Sequence, residues 1–148
     1  VAFVGRLFPN LTVQGLGDPN YAYSLLKQYK GEWEFDTNWK MIFGHPKKAG
    51  WINAIQEAQK TVQKGIGLDC PVLVMSSNKS FPETKEWNNE YLSSDIVLDI
   101  HDIQKYGQKL GNYVTRDTIQ NGIHDLILSE KDSRDHVYRT VFDWLPGK

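Results

Sequence analysis

The sequence contains one cysteine, Cys70, and two methionines. A single cysteine excludes an internal disulfide framework and a multi-cysteine zinc site, and it suits a reducing cytoplasm. Cys70 stands directly before an apolar run, which predicts a buried structural thiol. No stretch approaches the roughly 20 apolar residues needed to span a bilayer, so no stable membrane insertion is expected. No basic-then-apolar leader opens the chain either. Charge of one sign is also missing, since 17 basic residues face 18 acidic ones. That balance gives no electrostatic reason to expect nucleic acid or an anionic membrane as partner. Walker A and G-x-G-x-x-G patterns are absent, which removes the usual phosphate and dinucleotide sites. The four histidines, His45, His101, His124 and His136, have no zinc-like spacing, so no metal or other cofactor is expected.

What is present describes a folded protein. Hydrophobic residues make up 40% of the 148 positions and charged residues 24%, which argues against disorder. Five tryptophans, Trp33, Trp39, Trp51, Trp87 and Trp144, fill a core or line an apolar pocket, and composition does not choose between these. The chain opens on Val1, from which we expect a piece of a longer polypeptide.

Residues 1–48 are rich in turn formers and aromatics and poor in periodicity. They read as a lid-like, irregular segment, with one short helix over Tyr21–Tyr29 capped by Asn20. Residues 49–148 read as a second unit. Trp51, Ile52, Ile55, Ala58, Gln59 and Val62 form the stripe of an amphipathic helix over 49–64. Pro71–Met75 is apolar on both faces, as a buried parallel strand is. A polar loop over 76–94 follows. Asp99 caps the next helix, Tyr113–Ile119 is a second strand, Asn121-Gly122 turns, and residues 131–145 form a last helix. Strands alternating with helices imply a parallel α/β sheet. Two strands alone leave edges open, so further strands, or another copy of the chain at an exposed sheet edge, are expected to complete the sheet.

Functional groups in open α/β sheets gather past the C-terminal ends of the strands. Asp95 follows the first strand's loop, and His124 follows the second strand. Their spacing of 29 positions leaves room for one helix and one strand. Adjacent parallel strands therefore bring a carboxylate and an imidazole to one sheet end. A hydrolytic triad needs such a pair, with the histidine taking a proton and the carboxylate fixing its tautomer.

Cys70-Pro71-Val72-Leu73-Val74-Met75, Ser94-Asp95-Ile96-Val97-Leu98-Asp99, Gly122-Ile123-His124-Asp125 and a final helix ending Trp144-Leu145 resemble the C-terminal part of an α/β-hydrolase. The similar group is the serine aminopeptidase/lysophospholipase-like hydrolases. Tyr29–Asp36 through Gly50-Trp51-Ile52 resembles the lid and post-lid region of a bacterial subgroup. The resemblance implies His124 as general base and Asp95 as its orienting acid, in a cytoplasmic esterase acting on a small ester or lipid-like substrate. The chain departs from the family twice. It contains no G-x-S-x-G, so the nucleophile lies outside it and the chain alone is expected to be inactive. The short acidic turn after the strand is replaced by Ser76-Ser77-Asn78-Lys79, which leaves Asp99 and Asp102 as alternatives to Asp95.

Plainer readings stand beside these. Asp99 serves as a helix cap, Asp125 shapes its loop, His45 belongs to a turn, and His101 and His136 are solvated. Without a nucleophile, the chain also reads as a non-catalytic, hydrolase-like binding or self-associating module.

Overall fold

The computed structural model describes residues 2–145. The elements are α1 (Ala2–Leu7), β1 (Thr12–Gln14), α2 (Asn20–Leu25), β2 (Lys47–Lys48), α3 (Ala49–Lys64), β3 (Val72–Ser77), α4 (Ile100–Gly107), β4 (Val114–Ile119) and α5 (Lys131–Trp144). The protein is mixed α/β, with one parallel and one antiparallel strand pair.

β3 and β4 are the parallel pair, in register from Val72 opposite Val114 to Ser77 opposite Ile119. Side chains alternate across a strand, so each face needs its own cover. α4 covers the face of Val74, where Gly107 makes close approach possible. A Cβ at Gly107 would stand 2.9 Å from Val74 Cγ1. α5 covers the opposite face. There Thr140 Oγ1 donates to Asp117 Oδ2 at 2.5 Å, and His136 Nε2 lies 3.1 Å from the same oxygen. His136 is therefore tied to the sheet and not simply solvated. Ile119 and Val137 are fully buried in this layer. Burial of each contributes about 1.5–3 kcal/mol.

α4 begins as the sequence predicts, with the Asp99 side chain accepting from the His101 amide at 2.8 Å. α2 does not. Asn20 is its first residue and is buried, while Asp18 Oδ1 takes the Asn20 amide at 2.8 Å. The Asn20 side-chain amide instead donates to the Thr84 carbonyl at 3.1 Å, which joins the N-terminal segment to the loop after β3. A buried amide gains more from a distant carbonyl than from a local cap that Asp18 already supplies.

Two expectations about burial fail for one physical reason. Cys70 is exposed, because the chain enters the packed layer only beyond Pro71 and burial deepens toward Ser76 and Ser77. The α3 stripe is also largely open, with Trp51 56% and Ile55 40% exposed. α1 packs on α3, but neither strand of the parallel pair has another hydrogen-bonded neighbour among the described residues. A half-built layer leaves its periphery wet. Between α3 and α4 runs an apolar groove of about 440 Å³, lined by Ile55, Val62, Val74, Ile103, Tyr106 and Leu110.

Candidate active site

The loop after β3 is polar in sequence yet well packed. Its centre is Tyr91, fully buried, whose ring stacks on Trp87 and meets Phe81 edge-on. The Tyr91 hydroxyl donates to the Thr84 carbonyl at 3.0 Å and accepts from the Thr84 amide at 2.7 Å. This core returns the chain to the end of β3. The Asp95 amide donates to the Lys79 carbonyl at 3.0 Å, and the Phe81 amide donates to the Asp95 carbonyl at 2.9 Å. Asp95 is thereby carried to the C-terminal end of the strand.

Asp95 is 3% exposed. Its Oδ1 accepts from the amides of Val97 at 2.8 Å and Leu98 at 2.9 Å. These two donors fix the carboxylate plane. His124 Nδ1 lies 3.2 Å from Oδ1 and 3.1 Å from Oδ2. Burial opposes charge on Asp95, but the His124 bond and the two amides outweigh it and hold the carboxyl below its ordinary value. His124 moves the other way. Its bond to Asp95 raises the imidazole above the ordinary value, and burial opposes this without cancelling it.

An ionised carboxylate only accepts, so Nδ1 of His124 must carry the hydrogen between them. In the neutral ring that leaves the lone pair on Nε2. Nε2 makes no hydrogen bond among the described residues, and the side chain is 30% exposed. The ring can therefore take a proton from a group that approaches it.

His124 is held by its own loop. Asn121, at φ 55°, adopts the left-handed conformation that asparagine tolerates. Its amide donates to Asn78 Oδ1 at 2.9 Å, which stitches the loops after β4 and β3 together. Gly122 sits in a tight place, where a Cβ would stand 2.7 Å from the movable Leu126 Cδ2 and 3.2 Å from the Ile119 carbonyl oxygen. The Ile123 amide then donates to the buried Ser129 Oγ at 3.0 Å.

Of the sequence-predicted residues, Asp95 and His124 meet. Asp99 caps α4, and Asp102 lies on the exposed first turn of that helix. His101 is exposed, as expected, and so is His45. Two neighbours were not singled out as site residues. The Tyr21 and His124 rings form a T-shaped pair, with centroids 6.3 Å apart. Its hydroxyl donates to Asp125 Oδ2 at 2.7 Å and accepts from the Asp125 amide at 3.2 Å. Lys40 Nζ pairs with the same carboxylate at 2.8 Å. A cleft of about 370 Å³ opens beside Tyr21 and Lys40, and His124 does not line it; Trp39, Met41 and Phe43 give it apolar walls and Asp18, Lys47 and Glu83 charged ones. No local pattern marks Tyr21 or Lys40, which lie 104 and 85 residues from Asp125.

Comparison with protein-family models, curated proteins and solved structures finds no match. No group of three or more potential metal ligands occurs among the described residues. No helix among them is long and apolar enough to cross a membrane.

Proposed function

We propose that this chain supplies the acid and the base of a serine hydrolase of α/β-hydrolase type, acting on small carboxylic or lysophospholipid-like esters. The observation that carries the reading is the Asp95–His124 contact, made where two adjacent parallel strands end. The nucleophilic serine comes from sequence outside residues 1–148, within a G-x-S-x-G turn. As that serine's oxygen bonds to the ester carbonyl, its proton passes to His124 Nε2. His124 returns the proton to the leaving alkoxide as the C–O bond breaks. A water then repeats the sequence and frees the acid. Asp95 stays ionised and stabilises the imidazolium through Nδ1. The chemistry moves a proton and an acyl group, and it calls for no cofactor. The apolar walls of the cleft beside Tyr21 suit the apolar part of an ester, and the lone cysteine suits a cytoplasmic setting.

The strand edges left unpaired among the described residues and the open α3 stripe also favour a second reading, a non-catalytic module that associates with another copy of itself. A fluorophosphonate probe separates the two, because it reacts only with an activated serine. The native gene product, captured by an antibody to residues 1–148, is expected to take up the probe on one serine. No uptake, together with a dimer in sedimentation, overturns the hydrolase reading in favour of the module.

A further inference from the structure

We infer that Tyr21 and Lys40 are positioning residues for the His124 base, through which the aromatic N-terminal segment both fixes and tunes the imidazole by gripping Asp125. The inference rests on the reading of His124 as a base. Its support is geometric. Asp125 follows His124 directly in the chain, so whatever fixes Asp125 limits where the ring can go. Tyr21 fixes it twice, through its carboxylate and through its backbone amide. Lys40 adds an ion pair at 2.8 Å and stands over the Tyr21 ring, 5.5 Å from its centroid. The Tyr21 ring also meets the imidazole itself in a T-shaped contact. Both residues belong to the segment before α3, which is therefore built into the site.

The charges around the ring can be named in full. Asp95 faces it from the loop after β3, Asp125 from its own loop, and Lys40 and Tyr21 from the N-terminal segment. Asp95 and then Asp125 favour the imidazolium, while Lys40 opposes it. Burial and then the bond to Asp125 push the Tyr21 hydroxyl far above its ordinary value, so Tyr21 stays neutral and acts as a donor throughout the working pH range. Lys40 thus offsets one of the two carboxylates. Without that offset, the ring would hold its proton to higher pH and a smaller fraction would be free to act as base at neutrality.

The test follows the His124 ring by NMR across pH in the native gene product. Lys40→Met is expected to raise the His124 titration midpoint and Asp125→Asn to lower it. The double variant is expected to lie between the two. Tyr21→Phe removes the hydroxyl, and with it both bonds to Asp125, but keeps the ring, and it is expected to speed amide exchange over 122–128 by roughly tenfold or more, the equivalent of one to two hydrogen bonds. Midpoints unchanged in Lys40→Met and Asp125→Asn, with loop exchange unchanged in Tyr21→Phe, overturn the inference. A shifted midpoint in a protein that never takes up the fluorophosphonate probe would leave the positioning intact and overturn the hydrolase reading alone.

Discussion

Replacing Asp95 by alanine is expected to cost about 3–5 kcal/mol of folding stability, the usual result of removing one member of a buried charged pair. The side chain is buried and accepts from two backbone amides and one imidazole. Alanine leaves all three donors without an acceptor, and hydrogen bonds to a charged group contribute about 1.5–3 kcal/mol each. In a domain of this size the loss should lower Tm by roughly 10 °C, read by circular dichroism. Asp95→Asn separates geometry from charge. Its side-chain oxygen still serves Val97 and Leu98, but it no longer favours the imidazolium, so it should cost less than half as much. The pH dependence has a definite sign. The Asp95 carboxyl is held below its ordinary 3.8, so its stabilisation is complete above that value and lost as pH falls through the lower folded value. The gap between the protein and Asp95→Asn should therefore persist at pH 5 and close only in strong acid. An Asp95→Ala variant as stable as the parent would mean that the carboxylate does not hold this loop.

The largest kinetic effect is expected from His124→Gln. Glutamine keeps a donor for Asp95 and much of the ring's volume, so the loop should remain folded. It has no group that takes a proton near neutral pH. Turnover of a short-chain p-nitrophenyl ester by the native gene product should fall by at least about a thousandfold, with KM little changed, because the loss falls on proton transfer in the transition state. A fall of less than tenfold would remove His124 from the mechanism. The two substitutions report on different links. Asp95→Ala reads the packing that builds the site, and His124→Gln reads the chemistry that the packing permits.

Much of this architecture was legible in the sequence because it is local. The run Pro71–Met75, the Asp99 cap and the Asn121-Gly122 turn each carry their own signal, and α3, β3, α4, β4 and α5 lie where those signals put them. The Asp95–His124 meeting was legible for a related reason. Two parallel strands joined through one helix end on the same side, so the residues after them are neighbours whatever the details. The long loop between β3 and α4 obscured which aspartate makes the contact. Tyr91 decides it, by gathering Trp87, Phe81 and Thr84 into a small core that returns Asp95 to the strand end.

The remainder depended on tertiary contact. Asn20 has the composition of a cap and instead spends its amide on a carbonyl 64 residues away. Trp33 Nε1 donates to the Leu128 carbonyl at 2.8 Å, and Arg134 lies over the Trp33 ring. Together with Tyr21 and Lys40, these contacts dock the aromatic segment on the histidine loop, a pairing that no periodicity encodes. Burial was misjudged where the sequence assumes a complete sheet. An apolar strand and an amphipathic helix read as covered on all sides, whereas Cys70 and Trp51 are open and β3 has one strand partner among the described residues.

The most direct test of the central claim is the tautomer of neutral His124, read from the ¹⁵N shifts of its ring above its titration midpoint. The Asp95 carboxylate should hold the hydrogen on Nδ1 and leave Nε2 bare, ready to accept a proton. A ring carrying its hydrogen on Nε2 would contradict the account, because such a histidine has no free lone pair facing the substrate side and Asp95 would not be orienting a base.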